Sequence, residues 1–92
     1  MEVVDRPERN RFELEAEGSL AELRYEVQGT KLVLVHTGVP DELGGRGIGG
    51  LLVQAAIDRA ARDGLDIVAL CPFAQGWIDR HPEALGDVHL VG

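Results

Sequence analysis

Apolar and polar side chains alternate along the first half of the chain. Phe12, Leu14 and Ala16 alternate with glutamates, which is the period of two expected of a strand with one buried face. A second alternating segment covers residues 20–27, and a third, residues 31–39, contains a continuous apolar run that predicts a strand covered on both faces. Because turn residues separate the segments, the pattern predicts an antiparallel meander of three strands. The glutamates of the first segment are predicted to form a solvated strand face: Glu13, Glu15 and Glu17.

The apolar period changes to that of a helix after a glycine-rich segment. Residues 65–71 then form an apolar run typical of a buried strand, and the strand–helix–strand order makes this strand parallel to the third strand of the meander. Residues 73–80 predict a short second helix, and residues 88–91 a weak edge strand. The first helix is predicted to end at Gly64. Its apolar face follows the i, i+3, i+4, i+7, i+8 rule at Ile48, Leu51, Leu52, Ala55 and Ala56.

The composition predicts a single folded domain over residues 1–92. Apolar residues make up 45% of the chain, which is typical of a globular protein. Residues 1–10 are polar and charged, and we expect them to fray. No apolar run approaches the roughly 20 residues needed to cross a membrane, and the N-terminus lacks the apolar segment of a signal peptide. A single cysteine cannot form an internal disulfide, so the sequence predicts a cytoplasmic protein without a membrane partner.

The formal net charge of −7 bears on the class of partner. It argues against binding to nucleic acid, because that binding depends on lysine and arginine side chains that neutralise phosphates. It favours a cationic partner, such as an amine or a lysine-bearing peptide. The three histidines, His36, His81 and His89, are scattered and have no second ligand at metal-binding spacing. We therefore expect no metal site.

Five glycines at the start of the predicted helix form the main candidate for a binding site. They leave the turn almost without side chains, so another molecule could approach its backbone closely. The first turn of the helix adds N–H groups without intrahelical partners and the positive end of the helix dipole. The segment therefore predicts a site for a phosphate or pyrophosphate. The glycines concerned are Gly44, Gly45, Gly47, Gly49 and Gly50.

A turn that only redirects the chain is the alternative interpretation of these glycines, and it carries a heavy entropic cost. Two other phosphate motifs fit the segment poorly. Gly45, Gly47 and Gly50 match G-x-G-x-x-G, but residues 39–43 separate them from the preceding strand, unlike the arrangement in a dinucleotide-binding unit. A P-loop would close with Gly-Lys-Ser/Thr, which is absent from this segment.

Four short motifs occur in order along the chain. They are HTGVP from His36 to Pro40, LGGRGIG from Leu43 to Gly49, LCPF from Leu70 to Phe73 and RHPE from Arg80 to Glu83. With these motifs, the chain from Arg11 to about Glu83 resembles the small single-domain proteins of the GNAT, or N-acetyltransferase, superfamily. The resemblance implies a mixed α/β (α+β) fold, with a three-stranded antiparallel meander, a βαβ unit that holds an acyl-CoA cleft between its two parallel strands, and a short C-terminal helix.

The same resemblance implies a function and a co-substrate. The protein would transfer an acetyl group from acetyl-CoA to a primary amine, carried either by a small molecule or by a lysine or peptide. The sequence departs from the superfamily at its Arg/Gln position, where Gly44 stands, and Arg46 is a partial replacement. It also lacks the tyrosine that follows the last parallel strand, since its one tyrosine, Tyr25, lies in the second strand. The residues implied to bind CoA are Val39, Gly44, Gly45, Arg46, Gly47, Ile48, Gly49 and Gly50.

Two residues are candidate catalytic groups. Cys71 lies at the carboxyl end of the last parallel strand, where ligands of α/β units usually bind. The resemblance implies a catalytic thiol there, which leaves three roles open: nucleophile, acid for departing CoA, or buried core residue. His36, near the end of the neighbouring strand, is a candidate base for an ammonium acceptor, or else a core or solvent-facing histidine. Trp77 is predicted to belong to the core rather than to a ligand platform.

Two other functions remain open at this stage. The chain could bind acyl-CoA without catalysis, which the departure at Gly44 and the absent tyrosine favour. Alternatively, it could be a small interaction protein whose glycine loop is purely structural. Binding of CoA, with or without turnover, separates the three hypotheses. The sequence identifies neither the acceptor nor the oligomeric state.

Overall fold

A five-stranded sheet organises the protein, as described by a computed structural model that covers residues 2–92. The strands are adjacent in chain order, with antiparallel pairs from β1 to β4 and a parallel pair between β4 and β5. The sheet confirms the predicted meander followed by a strand–helix–strand unit. The strands are β1 (Val4–Arg6), β2 (Arg11–Ala16), β3 (Ser19–Gln28), β4 (Lys31–Gly38) and β5 (Asp66–Ala69).

Two α-helices follow β4 and β5. Helix α1 (Ile48–Asp63) connects the parallel strands, and α2 (Pro72–Arg80) begins directly after β5. Helix α1 is flanked by Gly47 and Gly64, with φ of 72° and 68°. This left-handed conformation is one that glycine adopts without steric penalty, so both ends of α1 are marked in the sequence. Short 3-10 helices occupy Pro7–Arg9, Asp41–Leu43 and Pro82–Leu85.

Residues 4–9 do not fray, which corrects the expectation for residues 1–10; Met1 lies outside the described residues. Strand β1 pairs with Arg11–Glu13 of β2. Its Asp5 carboxylate accepts a hydrogen bond of 2.5 Å from the Tyr25 hydroxyl and one of 3.1 Å from Arg59 of α1. The Arg59 guanidinium also donates to the Tyr25 oxygen, at 2.6 Å. The charged residues of this segment led to the prediction of a solvated tail, but one of them, Asp5, attaches β1 to β3 and α1.

Both helices pack their apolar residues into one core on a single face of the sheet. The opposite face carries most of the charged side chains of β2 and β3 together with apolar ones such as Val33, which is 5% exposed. The prediction that Glu13 lies on a solvated face is wrong. Glu13 is 6% exposed, because the side chains of Arg6, Arg9 and Arg11 surround its carboxylate. Glu15 and Glu17 are exposed, as expected. Core residues include Leu14, Leu23, Leu34, Leu52, Ile57, Ile67 and Ile78.

The C-terminal tail lies along the free edge of β5. Ile67 donates its N–H to the His89 carbonyl at 2.9 Å, and Val91 donates its N–H to the Ile67 carbonyl at 2.8 Å. This bridge is a short version of the predicted edge strand at residues 88–91. Over residues 2–92, neither helix has the length and apolar character that crossing a membrane requires.

Replacing Tyr25 by Phe should lower the free energy of unfolding at neutral pH by about 1–2 kcal/mol, because the hydroxyl that joins β1 to α1 is lost. Burial and the hydrogen bond to Asp5 raise the pKa of Tyr25 to about 12. An unfolded tyrosine ionises near pH ~10. The stability that the hydroxyl contributes is therefore fully present below that pH and is lost as pH rises through the folded pKa.

Urea unfolding of wild type and Tyr25→Phe, at neutral pH and at increasing alkaline pH, measures this effect. The stability difference should shrink as pH rises. Glu26→Gln, at the exposed next position of β3, serves as the control and should change little. A difference between wild type and Tyr25→Phe that is small at neutral pH, or constant with pH, would contradict the role of the hydroxyl.

Candidate functional site

The parallel strands separate at Leu34. The last residue pair of β4 and β5 is Leu34 with Ala69. Beyond it, the N–H groups of Leu70 and Cys71 both donate to the Leu34 carbonyl, at 3.0 and 3.1 Å. Strand β5 then ends and α2 begins, while β4 continues to Gly38, paired only with β3. The backbones of β4 and of the chain that enters α2 therefore separate beyond Leu34, where the fold prediction placed the acyl cleft. The side chains of Thr37 and Cys71 meet across this gap between the backbones.

Cys71 lies at this gap, directly before the first residue of α2, and is 3% exposed. Its sulfur is 3.3 Å from the Thr37 hydroxyl of β4. Burial raises the pKa of the Cys71 thiol, but hydrogen bonds from the Thr37 hydroxyl and from the backbone N–H groups of Ala74, Phe73 and Thr37 outweigh it, so the pKa is lowered overall. The site therefore favours a negative charge on sulfur.

His36 and Cys71 do not come together in the structure. Thr37, which contacts Cys71, pairs with the buried Leu23 and shares its face of the sheet. His36 pairs with the exposed Arg24 and lies on the opposite face, because successive strand residues point to opposite sides. The Glu22 carboxylate and the His36 ring both lie against Gly38, where a side chain would meet them at 3.9 and 3.6 Å. His36 thus borders the gap from the uncovered side.

Three of the five glycines expose backbone before α1. Gly45 and Gly47 have φ of 78° and 72°, and a side chain at either would meet nothing within 4 Å. Gly44 has an extended backbone and is also exposed. These positions, with the unpaired N–H groups at the start of α1, are open to an approaching anion.

Gly49 and Gly50 serve a different purpose. Both lie in the first turn of α1, where added side chains would collide with the rings of Phe73 and Trp77, respectively. They allow α2 to pack closely against α1, and both also line the cavity between the glycine loop and α2. Trp77 is partly buried against the core, as predicted, and its ring also stacks on His81 at 4.3 Å between centroids.

The glycine loop and α2 enclose a cavity of about 360 Å³. Arg46 does not line it, and instead forms an ion pair with Glu17 in the β2–β3 turn. Arg80 of α2 lines it, with its guanidinium folded back over Gly76, where a side chain would lie 3.3 Å from Nη1. The full lining is Val39, Leu43, Gly44, Gly45, Gly47, Ile48, Gly49, Gly50, Phe73, Trp77 and Arg80.

Arg80 is the functional candidate that the sequence interpretation missed. It follows Phe73 by seven residues and Trp77 by three, which places all three on one face of α2. That spacing was the available signal, but it pointed to a function only once α2 was known to pack beside the glycine loop. Among residues 2–92, no group of three or more histidine, cysteine, aspartate or glutamate side chains is arranged to hold a metal ion.

An antiparallel meander, followed by two parallel strands that part beside a glycine loop, defines the fold class of the N-acetyltransferases. The profile of the family described as GCN5-related N-acetyl-transferase matches residues 11–88. The chain therefore belongs to that family.

Relatives with solved structures or curated sequences are consistent with this assignment. The NMR structure of a GCN5-like candidate N-acetyltransferase from Staphylococcus aureus has 34% identity and a TM-score of 0.74, over 99% of this chain and 88% of that one. Protein NATD1 is 40% identical in Xenopus tropicalis and 38% identical in Homo sapiens, each over 63 residues and 67% of this chain. Those alignments cover 58% and 56% of the two proteins, so this chain spans a little over half the length of the curated relatives that it matches.

Thr37→Val should raise the pKa of the Cys71 thiol, because it removes a hydroxyl that donates to the sulfur and stabilises the thiolate. Cys71 is the chain's single cysteine, so the ultraviolet absorbance of thiolate, followed against pH, reports on this residue alone. Thr30→Val, at an exposed position in the β3–β4 turn, is the matched control. Identical thiol titration curves for Thr37→Val and wild type would show that the Thr37 contact does not influence the thiol.

Proposed function

We propose that this protein transfers an acetyl group from acetyl-CoA to a primary amine. The observation that carries the proposal is the set of hydrogen-bond donors around the Cys71 sulfur, in the gap between β4 and α2. Membership of the GCN5-related family supports the same reaction class. The cytoplasmic location and the single-domain organisation expected from the sequence stay predictions.

The cavity between the glycine loop and α2 is the proposed CoA site. Backbone N–H groups around Gly45 and Gly47, with those at the start of α1, would bind the pyrophosphate. Arg80 would supply the cation that Gly44 cannot, since a guanidinium forms charge-assisted hydrogen bonds to phosphate. Phe73 and Trp77 provide an apolar wall of this cavity, and Phe73 follows Cys71 by two residues at the start of α2. The residues present therefore fit an acyl-CoA.

Cys71 has two proposed roles that differ in the order of bond changes. As a nucleophile, its thiolate bonds to the acetyl carbon, and the bond from that carbon to the sulfur of CoA breaks with release of CoA thiolate. The amine then attacks the acetyl-cysteine, and Cys71 leaves as a thiolate. As an acid, the Cys71 thiol gives its proton to departing CoA thiolate while the amine attacks acetyl-CoA directly. The lowered pKa of Cys71 favours the first role.

The donors around Cys71 also suit the charge that develops during acyl transfer. Attack on a thioester places negative charge on the carbonyl oxygen, and fixed N–H groups stabilise it without having to reorganise. The N–H groups of Thr37 and Phe73 lie at the sulfur and are the proposed donors. His36 would accept the proton of the amine from the uncovered side of the sheet, beside the Glu22 carboxylate.

A non-catalytic acyl-CoA-binding module is the second candidate function. It is favoured by the burial of Cys71, which packs within the core cluster. The packing role of Gly49 and Gly50 supports, in part, the third hypothesis of a structural glycine segment. Gly45 and Gly47 have no such packing partner, which favours a binding role for the loop.

Incubation with acetyl-CoA and no acceptor should acetylate Cys71 if the thiol is the nucleophile. Intact-mass spectrometry would detect the added acetyl group, and Cys71→Ser and Cys71→Ala should abolish it. If Cys71 acts as an acid, no adduct forms, and Cys71→Ala lowers turnover on the order of 10²-fold while acetyl-CoA still binds. Full activity of Cys71→Ala with a good acceptor would make the cysteine a core residue.

Arg80→Gln should weaken acetyl-CoA binding by about 1–2 kcal/mol, through loss of a charge-assisted phosphate contact. Fluorescence of Trp77, the chain's one tryptophan, gives a direct titration because its ring lines the cavity. Arg62→Gln, an exposed arginine of α1 that pairs with Asp63, is the matched control and should bind as wild type does. Equal affinities for Arg80→Gln and Arg62→Gln would exclude Arg80 from the site.

A further inference from the structure

Arginines outnumber carboxylates in one network on the uncovered face of the sheet. Four arginines, Arg6, Arg9, Arg11 and Arg24, form ion pairs with only two glutamates, Glu13 and Glu22. The network therefore carries an excess of positive charge, although the whole chain has a formal charge of −7. Such a local excess attracts an anion even when the overall field is unfavourable.

Three arginines of the chain line one groove on this face, with a volume of about 360 Å³. The groove is bordered by Arg9, Arg11 and Arg24, and by a single carboxylate, that of Glu26. The Glu26 carboxylate accepts a hydrogen bond of 2.9 Å from Gln28. The other lining residues, Asn10, Tyr25 and Val35, are uncharged, so three of the four charged residues that a ligand would meet are arginines.

The three arginines are not equivalent. Arg11 is held by Glu13 at 2.5 Å and by Glu22 at 3.1 Å, and its side chain is 23% exposed. Arg9 and Arg24 are 57% and 58% exposed, and within residues 2–92 each makes one ion pair, at 3.4 Å. A guanidinium has five N–H donors arranged for bidentate contact with carboxylate or phosphate. Arg9 and Arg24 therefore retain donors for a ligand, whereas Arg11 supports the groove.

The groove lies next to His36 on the face of the sheet that the helices do not cover, whereas the proposed CoA cavity lies between the glycine loop and α2. Val35, which lines it, directly precedes His36 on β4, and Arg24 is the strand partner of His36. A ligand bound there would lie beside His36, which is two residues before the end of β4 at Gly38. The His36 ring and the Glu22 carboxylate, which border Gly38, would face the ammonium end of such a ligand.

We propose that this groove binds the acidic group of the acceptor, and that the acceptor is a small amine that also carries a carboxylate or phosphate. This inference rests on the proposed acetyl transfer. The anion binds Arg9 and Arg24, and the amine reaches the gap past His36. Such an acceptor carries both charges. Its acidic group would bind the arginines of the groove, and its ammonium group, the cation that the net charge favours, would lie next to the Glu22 carboxylate.

A matched set of short amines tests the proposal. β-Alanine carries a carboxylate, 2-aminoethyl phosphate a phosphate, β-alaninamide no acid, and 1,3-diaminopropane a second cation. NMR titration of the protein without acetyl-CoA should show that the two acids bind on the order of tenfold more tightly than the amide, with shifts at the groove residues. The ranking of the two acids identifies the anion. Binding of all four ligands alike, or shifts confined to another surface, would overturn the proposal.

Substitutions of the groove arginines distinguish binding of the acceptor's acidic group from catalysis of acetyl transfer. Arg24→Gln and Arg9→Gln should each raise the Kd, and in turnover the KM, of the preferred acid on the order of tenfold, leave kcat nearly unchanged, and leave the amide unaffected. Arg62→Gln is the control. If the acids bind, if Arg24→Gln abolishes that binding, and if the protein has no acetyltransferase activity, the proposed reaction is refuted but the groove remains an anion site. If the protein acetylates 1,3-diaminopropane faster than the two acids, and if Arg24→Gln does not change turnover, the groove is refuted as the acceptor site but the reaction stands.

Discussion

The Leu34 carbonyl is the hydrogen-bond acceptor on which the arrangement of the site depends. It receives the N–H groups of both Leu70 and Cys71, so the parallel pairing ends there and the chain leaves the sheet. Pro72 then begins α2, which suits proline because the first N–H of a helix needs no partner. In consequence the N–H groups at the start of α2 lie at the Cys71 sulfur, while β4 continues past it and supplies Thr37.

The direction of α2 is set by contacts with α1. The rings of Phe73 and Trp77 occupy the space left by Gly49 and Gly50, which lets the two helices approach closely at their ends. One glycine-rich segment thus has two consecutive functions. Its first part, at Gly45 and Gly47, keeps backbone accessible, and its second part receives α2. The helix that positions the catalytic candidate also closes the proposed CoA cavity, so substrate binding and thiol placement depend on the same packing.

The local spacing of apolar residues in the sequence was sufficient to predict most of the fold. The alternation along β2 and β3 and the helical spacing from Ile48 are found in the structure, because each pattern reflects a face buried in the core. Leu51 is the exception on the helix, since it is 40% exposed. Strand β1 was missed, since its stability comes from Asp5 meeting Tyr25 and Arg59, at separations of 20 and 54 residues that no local pattern records. Burial of Glu13 was missed for a different reason. Its arginine partners are only two, four and seven residues away, but they belong to β2, the first 3-10 helix and β1, and only the fold brings them to one carboxylate.

The candidate site was predictable as a location but not as a set of side chains. The glycines and Cys71 stand where the strand–helix–strand order puts a ligand site, whereas the roles of Arg46 and Arg80 depend on tertiary contacts. Arg46 is adjacent to the glycines in sequence but pairs with Glu17. Arg80 is distant in sequence but faces the cavity.

The same reasoning applies to charge. A formal charge of −7 describes the field far from the molecule, but within a Debye length, roughly 8–10 Å, the nearest side chains dominate. Arg80 lines the cavity beside the glycine loop, and Arg9, Arg11 and Arg24 line the groove on the other face of the sheet. The net charge of −7 therefore does not argue against the proposed polyanionic co-substrate, because Arg80 lines the cavity where its phosphate groups are proposed to bind.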